Sequence, residues 1–406
     1  MRDARELWPW FSLALIIGGL AARNALVVMV GFGVLVACGG AVLWARWSLR
    51  RLTYERVLPE DRAFAGESVD LTLRITNRKP LPLAWIEAEE QLPAAMIAGV
   101  DDPLHPTGHG DAVSLRWRTS AGAYDRASRH VRLLCPARGI WEIGPARLRS
   151  GDPFGLFDDA RQEEGRARVV VYPETVMLRD LGLPARRPYG ERPRGLPVFE
   201  DPSRVHGIRD YRPGDSMRRV DWNATARLGK MQSRVYEPSS SQYLLLCVNT
   251  QTMTPAWAGY IHELLERCIT VAASVARDAY DRRYSVGLLV NSSVPEADRA
   301  IRIAPGRRPE QFIRVLEALG VVTPFVLEAL AAMLDREEHR LLVGTTVVVV
   351  TATMPEALAA TLLRLRGRGH EVAVLSASGD AWSEELGPIP VHDVSHVEAV
   401  WAEARA

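Results

Sequence analysis

The sequence TTVVVVT, residues 345–351, decides the fold class of the C-terminal part of this 406-residue chain. A short run of β-branched residues without polar alternation is typical of a strand that is buried on both faces of a sheet. An amphipathic helical pattern follows at 355–367, and a second apolar run, EVAVLSA, occupies 371–377. A buried strand, a helix and another buried strand together predict a β–α–β unit of a parallel sheet.

The same alternation extends upstream to residue 243. Apolar strands are predicted at YLLLCVN (243–249) and YSVGLLVN (284–291), and helices at about 256–280, 309–319 and 325–338. We therefore assign 243–406 to an α/β domain with a doubly wound parallel sheet. Ligands of such sheets bind at the carboxyl ends of the strands. These ends are NTQTMT (249–254), NSSVPE (291–296) and TATMPE (351–356).

Residues 207–231, GIRDYRPGDSMRRVDWNATARLGKM, concentrate charge just before this domain. Pro213-Gly214 predicts a turn, Asp215 or Ser216 a helix cap, and Gly229 a helix stop. Six basic and three acidic side chains alternate along the stretch. We expect ion pairs that hold it against the next domain, formed between Arg212, Arg219 and Arg227 and the carboxylates of Asp210, Asp215 and Asp221.

Three other interpretations of this stretch remain open. A docking surface for a partner protein is compatible with the ion-pair clasp. A metal-dependent hydrolase would use the 206–221 cluster of His206, Asp215 and Asp221, although neighbouring arginines more often mark an ion-pair network. Nucleic-acid binding would use the arginines with Tyr211 and Trp222, but the interleaved aspartates repel phosphates. The net charge of the chain is only +1, so we expect no nucleic-acid partner.

The preceding segments differ from the α/β domain in their patterns. Residues 175–242 begin with a Pro-, Arg- and Gly-rich stretch, 175–206, which we interpret as a linker or an extended strap. Residues 51–174 contain short runs of period two, such as SVDLTLRITNR at 68–78. Repeated short strands without helices between them predict an all-β sandwich. The four cysteines are widely spaced, so we expect reduced, buried thiols.

Residues 1–50 predict a transmembrane helical hairpin. Two apolar runs, 8–22 and 25–45, are separated only by Arg23-Asn24. A second, longer run directly after the first argues against a cleaved signal peptide. Basic residues cluster at the outer ends, at Arg2, Arg5, Arg46, Arg50 and Arg51. The positive-inside rule therefore predicts a multi-pass protein of the inner (plasma) membrane with cytoplasmic soluble domains. The alternative is a reversed topology with an extracytoplasmic, adhesive body.

The stretch DYRPGDSMRRVDWNATARLGK (210–230) resembles the signature of the uncharacterised bacterial domain family numbered fifty-eight. Further matching marks are ARGIWEIGP (137–145), GDPFGLF (151–157) and VVYPE (170–174). The resemblance covers essentially the whole chain. It implies an immunoglobulin-like sandwich and a von Willebrand factor A-like α/β domain. The signature and interface positions are Tyr211, Pro213, Gly214, Asp215, Arg219, Asp221, Trp222, Arg227 and Gly229.

The resemblance also implies a site and partners. A-like domains usually bind Mg²⁺ through Asp-x-Ser-x-Ser and later loops, but these positions are Asn249, Gln251, Met253 and Thr351 here. Without a carboxylate the adhesion site is degenerate, so we expect no metal and no cofactor. Family members are associated with MoxR-type AAA+ ATPases and sometimes with transglutaminase-like membrane proteins. We therefore expect a membrane-anchored, non-catalytic adaptor, with the metal-dependent hydrolase as the alternative.

Overall fold

A computed structural model describes residues 7–97, 104–106, 111–179, 200–212, 215–238, 243–294, 297–342 and 344–397. The chain divides into two compact units, Met1–Pro173 and Glu174–Ala406. All four cysteines are free; Cys135, Cys247 and Cys268 are buried as expected, whereas Cys38 is only partly buried.

The first unit begins with two apolar helices, α1 (Trp8–Ala21) and α2 (Ala25–Ser48). Asn24 caps α2, because its Oδ1 accepts a hydrogen bond from the Leu26 amide at 3.1 Å. The helices pack closely at two glycines, and a Cβ on Gly31 would lie 2.9 Å from Ile16 Cγ1. Among the described helices, only α2, with 24 residues, is long and apolar enough to cross a bilayer. With 14 residues, α1 is shorter than a full span requires.

Eleven described strands follow in the first unit: β1 (Leu52–Val57), β2 (Arg62–Phe64), β3 (Ser68–Asn77), β4 (Leu83–Pro93), β5 (Leu104–Pro106), β6 (Ala112–Ala121), β7 (Arg126–Leu134), β8 (Gly139–Ile143), β9 (Ala146–Gly151), β10 (Asp158–Glu163) and β11 (Ala167–Tyr172). They form three sheets with the orders β1-β3-β7, β10-β9-β4-β6-β5 and β2-β11-β8. The period-two prediction at 68–78 is confirmed, since Leu71, Leu73 and Ile75 of β3 are fully buried. They share one hydrophobic core with Ile86 and Leu148 of the five-stranded sheet.

The second unit contains an antiparallel pair, β12 (Glu200–Asp210) and β13 (Gln232–Pro238). A 3₁₀ turn (Met217–Arg219) and helix α3 (Trp222–Leu228) connect the two strands. Residues 200–206, at the end of the stretch interpreted as a linker or an extended strap, therefore belong to strand β12. The residues that pair with β12 lie 22 to 38 positions further along the chain, from Asp210↔Gln232 to Glu200↔Pro238, and local periodicity does not reveal such a distant partner. Residues 180–199 lie outside the described part.

The remainder of the second unit is a six-stranded sheet with helices. Its strands are β14 (Tyr243–Val248), β15 (Ser285–Val294), β16 (Ala297–Gly306), β17 (Thr346–Thr351), β18 (Glu371–Ser376) and β19 (Val391–Asp393). Its helices are α4 (His262–Asp281), α5 (Pro309–Gly320), α6 (Leu330–Glu338), α7 (Glu356–Gly367) and α8 (Ser383–Leu386). The strand order is β16-β15-β14-β17-β18-β19.

The central strands of this sheet are parallel and buried, as the apolar runs predicted. β14 pairs in parallel with β15 and β17, and β17 with β18. Edge strand β16, which was not predicted from the sequence, runs antiparallel to β15. An antiparallel edge strand is common on an otherwise parallel sheet. This arrangement brings the carboxyl ends of β14 and β17, and the middle of the long strand β15, to one edge.

Candidate functional site

Three buried polar side chains meet at the carboxyl edge of the sheet. Asn249 follows β14, Asn291 lies in β15, and Thr351 ends β17. The Asn249 side-chain nitrogen donates to Thr351 Oγ1 at 3.0 Å. Asn291 Nδ2 donates in turn to Asn249 Oδ1 at 2.9 Å. Parallel pairing of neighbouring strands places these residues side by side, and their amides join the three strands.

The loops after the strands complete the same hydrogen-bond network. Asn291 Oδ1 accepts from the amide and the hydroxyl of Thr250 at 2.8 and 3.0 Å. Thr351 Oγ1 donates to the Thr353 carbonyl at 2.6 Å, and Thr353 Oγ1 donates to the Gln251 carbonyl at 3.0 Å. Such a network stabilises its loops because buried polar groups are costly when they lack partners. We term these residues, with Asn249, the edge network.

The sequence-predicted adhesion positions are therefore only partly brought together. Asn249 and Thr351 touch directly, whereas Gln251 turns its Nε2 onto the Met253 carbonyl at 3.0 Å. Asn291 and Thr353 lie in strand ends that the sequence predicted as a ligand-binding edge, but neither residue was predicted as a site position. An asparagine directly after the apolar run of β15 was the available signal.

The chemistry of the edge network does not fit Mg²⁺. This hard cation requires oxygen ligands with one or two carboxylates among them. The edge network offers only amide, hydroxyl and carbonyl oxygens, which are engaged with one another. Within the part of the chain that the structure describes, no group of three or more His, Cys, Asp or Glu side chains could hold a metal ion.

Exposed apolar side chains lie on two loops, each of which is hydrogen-bonded to a residue at the carboxyl edge of the sheet. Trp257 is 87% exposed and Phe325 is 71% exposed. The first loop is fastened where the Ile261 amide donates to Thr252 Oγ1 at 2.8 Å. The second is fastened where the Leu327 amide donates to the carbonyl of Asn291 at 2.9 Å. We term the exposed apolar residues of both loops the edge patch: Trp257, Tyr260, Ile261, Phe325 and Leu327.

The charged stretch at 207–231 forms the end of the β12–β13 hairpin. Asp215 accepts two hydrogen bonds from the Arg209 guanidinium, at 2.8 and 2.7 Å, and one from the Arg212 amide at 2.9 Å. Tyr211 Oη donates to the Asp215 carbonyl at 3.1 Å. The hydrogen bond from Arg209 is the main cause that lowers the pKa of Asp215.

The second carboxylate of the hairpin, Asp221, begins helix α3. Its Oδ1 accepts from the Ala224 amide at 3.0 Å, and its Oδ2 accepts from Arg234 Nε at 2.9 Å. The hydrogen bond from the Ala224 backbone is the largest cause that lowers the pKa of Asp221, followed by that from Arg234. The helix ends at Gly229, whose φ of 65° confirms the predicted stop.

The structure differs from the predicted clasp in two details. Asp215 pairs with Arg209 and Asp221 pairs with Arg234, and neither arginine was among the predicted partners. The strand register explains this, because it aligns Ile208 with Arg234 and thus brings an arginine from outside the stretch onto the hairpin. The helix cap is Asp221 rather than Asp215 or Ser216, since a 3₁₀ turn precedes α3.

The remaining signature positions divide between surface and scaffold. Trp222 is 63% exposed, and Arg227 is exposed on the same short helix. Arg219 lies close enough to Asp215 to contribute to its lowered pKa. Pro213 and Gly214 lie outside the described residues, as does the His206 side chain. The hydrolase hypothesis would need Asp215 and Asp221 as acid, base or metal ligands, whereas arginines and backbone amides occupy their oxygens.

Comparisons with known proteins place this unit in a family. The family described as "Protein of unknown function DUF58" matches residues 207–405. The uncharacterised protein YeaD of Bacillus subtilis is 23% identical over 281 residues, which cover 68% of this chain and 64% of that protein. The match therefore spans less than two thirds of the relative's length.

Solved structures resemble the chain only weakly. A cohesin module from Clostridium perfringens has a TM-score of 0.22 at 14% identity, covering 30% of this chain and 95% of its own. A CARDB domain from Pyrococcus furiosus has a TM-score of 0.20 at 9% identity, covering 30% and 86%. Neither likeness supports a conclusion about function. The matched residues 207–405 instead contain both the hairpin signature and the edge network, and this part of the chain is a domain of the DUF58 family.

Proposed function

We propose that the chain is a membrane-anchored, non-catalytic interaction protein whose second unit binds a partner protein through the edge patch without a metal. The observation that carries this proposal is the exposure of Trp257 and Phe325 on loops fastened to the edge network. Large exposed apolar patches mark interaction sites, and each of the two loops has at least two exposed apolar side chains. Rigid loops also lower the entropy cost of binding.

The electrostatics of the unit support binding over catalysis. The edge network contains amides and hydroxyls, which are poor proton donors and acceptors at neutral pH. The hairpin carboxylates have lowered pKa values and are engaged by Arg209 and Arg234. A general acid or base works best with a pKa near the operating pH. The pKa values of Asp215 and Asp221 are instead lowered, further away from neutral pH.

The finer fold assignments and the partner belong to the same proposal. The strand-end positions Asn249, Gln251 and Thr351 support an A-like α/β domain with a degenerate adhesion site, and the three-sheet unit supports an immunoglobulin-like sandwich. Family resemblance suggests a MoxR-type AAA+ ATPase as the partner, with a transglutaminase-like membrane protein as a further component. The arginines after α2 support a plasma-membrane hairpin with the soluble units in the cytoplasm.

A pull-down with matched variants tests the proposal. Tagged full-length protein is purified in mild detergent, with and without a slowly hydrolysed ATP analogue, and recovered proteins are identified by mass spectrometry. We expect nucleotide-dependent recovery of an AAA+ ATPase. The double variant Trp257→Ala/Phe325→Ala should lose it. Leu363→Ala should keep it, because this partly exposed apolar residue lies on helix α7, outside the edge patch.

Different failures of this experiment have different meanings. Equal recovery by wild type and the double variant would show that the edge patch is not the binding surface. Recovery of another protein that depends on Trp257 and Phe325 would replace the AAA+ ATPase as partner and keep the surface. A wild-type bait that recovers no protein would overturn the adaptor function.

A further inference from the structure

The loop between β9 and β10 exposes apolar side chains that the proposed function does not use. Residues 152–157, DPFGLF, connect the two strands, and we term them the interface loop. Phe154 is 80% exposed and Leu156 is 49% exposed. Such exposure is unfavourable in water unless a partner or a membrane covers the side chains.

The conformation of the interface loop is fixed by its first residue. Asp152 is fully buried, and its carboxylate accepts hydrogen bonds from the Phe154 amide at 2.8 Å and the Phe157 amide at 2.6 Å. Trp85 Nε1 donates to the Asp152 carbonyl at 3.0 Å. A Cβ at Gly151 would lie 2.2 Å from the Phe157 carbonyl oxygen, so only glycine fits there. The loop therefore presents Phe154 and Leu156 in a preformed shape.

One end of the β9–β10 hairpin is fastened to the carboxyl end of helix α2. The Arg161 guanidinium in β10 donates to the carbonyls of Leu49 and Leu52 at 3.2 and 3.0 Å. Leu49 directly follows α2, where a cation interacts favourably with the helix dipole, and Leu52 begins β1. This contact fixes the height of β10 along the helix axis.

The loop end of the same hairpin reaches back along α2 to the start of α1. The rings of Phe157 and Trp8 pack edge to face with centroids 6.1 Å apart. A Cβ at Gly39 would lie 3.9 Å from the Trp8 ring. Ten residues of helix, from Leu49 to Gly39, span about 15 Å. Four residues of strand, from Arg161 to Phe157, span about 13 Å. The strand and the helix segment therefore have similar lengths, so Phe157 lies near Gly39 when Arg161 lies near Leu49.

The interface loop therefore lies beside the apolar part of α2 rather than beyond its end. Basic residues follow at Arg46, Arg50 and Arg51, which are exposed. When α2 crosses a bilayer, these arginines lie at the height of the phosphate headgroups. The interface loop then lies deeper in the bilayer than these arginines, at the boundary between headgroups and acyl chains, where Phe and Leu side chains partition favourably.

We propose that Phe154 and Leu156 insert into the leaflet beside α1 and α2. The interface loop then forms a third contact with the lipid and fixes the orientation of the first unit on the membrane surface. This inference rests on the proposed membrane anchoring by α2. The occupant is the bilayer, because the loop adjoins the apolar helices and exposed arginines flank it on the side of the headgroups.

Fluorescent labelling of single cysteines in full-length protein tests the insertion. In a Cys38→Ala background, whose other cysteines are buried, an environment-sensitive probe is attached to Phe154→Cys, Leu156→Cys, Val36→Cys or Ile140→Cys. Val36 is an exposed residue of α2, and Ile140 is an exposed apolar residue of β8 in the same unit. The protein is reconstituted in vesicles of phosphatidylcholine and phosphatidylglycerol, and the probe is quenched by aqueous iodide or by lipids spin-labelled at known depths.

We expect probes at 154 and 156 to lose iodide quenching relative to the probe at 140, and to be quenched by shallow spin-labelled lipids. The probe at 36 should be quenched by deep spin-labelled lipids. Iodide quenching at both 154 and 156 as strong as at 140, with the probe at 36 still in lipid, would overturn the insertion and keep the anchor. Iodide quenching at 36 as well would overturn both. Labelling at 156 keeps Phe154 intact, so the result does not depend on removing that side chain.

Discussion

The side-chain amide of Asn249 donates to Oγ1 of Thr351 at 3.0 Å and joins the carboxyl ends of β14 and β17. Both residues are buried, and Asn249 Oδ1 also accepts from Asn291 Nδ2 at 2.9 Å. An asparagine can donate and accept at once, whereas an ionised aspartate only accepts. The neutral amide thus connects three strands at a position where a carboxylate would require a cation.

Asn249→Asp should therefore destabilise the second unit. The substitution removes the donor to Thr351 and buries a charge without a cationic partner. A buried hydrogen-bond group left without its partner costs about 1–3 kcal/mol, so the melting temperature should fall. Thermal unfolding of the full-length protein in detergent measures the change.

The matched control is Asn223→Asp, the same chemical change at an exposed position of α3. It should leave the melting temperature nearly unchanged. Added Mg²⁺ should not shift the melting of the wild-type protein, because the edge network lacks carboxylate ligands. If Asn249→Asp melts at the wild-type temperature, the hydrogen bonds of the edge network do not stabilise the unit. If Mg²⁺ raises the melting temperature of the wild-type protein, the edge network binds the cation without a carboxylate.

A buried ion pair in the first unit leads to a second prediction. Arg56 Nε donates to Glu90 Oε1 at 2.7 Å, and Tyr54 Oη donates to Glu90 Oε2 at 2.6 Å. Burial raises the pKa of Glu90, although Arg56 opposes the shift. Arg56→Met leaves this carboxylate without its cation, which typically costs about 3–5 kcal/mol. The double variant Arg56→Met/Glu90→Met should recover much of that loss.

The pH dependence of the Arg56→Met variant checks the cause. Because the folded state raises the pKa of Glu90, it binds this proton more tightly than the unfolded chain does. The loss of stability should therefore shrink as the pH falls and Glu90 becomes protonated. Denaturant unfolding of single and double variants at acidic and neutral pH measures both effects. A double variant as unstable as Arg56→Met would mean that lost packing, not the unpaired charge, causes the loss.

The end of helix α3 supplies a third prediction. Gly229 has a φ of 65°, and its amide donates to the Thr225 carbonyl at 2.9 Å. A Cβ there would meet no atom within 4 Å, so Gly229→Ala is strained only through its backbone, by about 1–2 kcal/mol. We expect faster hydrogen exchange at the amides of 225–229. Gly207→Ala, at an equally open position without a positive φ, is the control; equal exchange in both variants would refute the backbone argument.

Much of the central sheet could be predicted because its strands are buried on both faces. The apolar runs at 243–249 and 345–351 correspond to β14 and β17, and the helix predicted at 309–319 corresponds to α5. Strand β16 was not predicted, because an edge strand carries polar residues on one face and lacks a continuous apolar run. Its Ile301 and Ile303 alternate with Arg302, a weaker signal.

For the candidate site, the sequence predicted the loops at the strand ends but not the hydrogen-bond partners of the residues in them. The resemblance to A-like domains pointed to Asn249 and Thr351, whereas the rule that ligands bind at the carboxyl ends of parallel strands pointed only to the loops that contain them. The partners of Asp215 and Asp221 could not be identified in this way. Arg234 lies on the returning strand β13, and only its register with β12, which aligns it with Ile208, brings it to Asp221.

The last prediction concerns Lys79, which is buried where helix α2 meets the strands of the first unit. Its Nζ donates to the Ser48 carbonyl at 2.6 Å and to Asn77 Oδ1 at 3.0 Å. Burial, with a smaller effect of Arg161, lowers the pKa of Lys79 to about 8 from an ordinary value of 10.5. Between these pH values the unfolded chain holds more protons than the folded one, so the free energy of unfolding should rise with pH in that window. Lys79→Met should remove this rise.

Since the sequence contains only Lys79 and Lys230, NMR of isotope-labelled lysine can follow the titration directly, with Lys79→Arg assigning the signal. A Lys79 signal that titrates only near 10.5 would show that the amine is solvated rather than held at the end of α2.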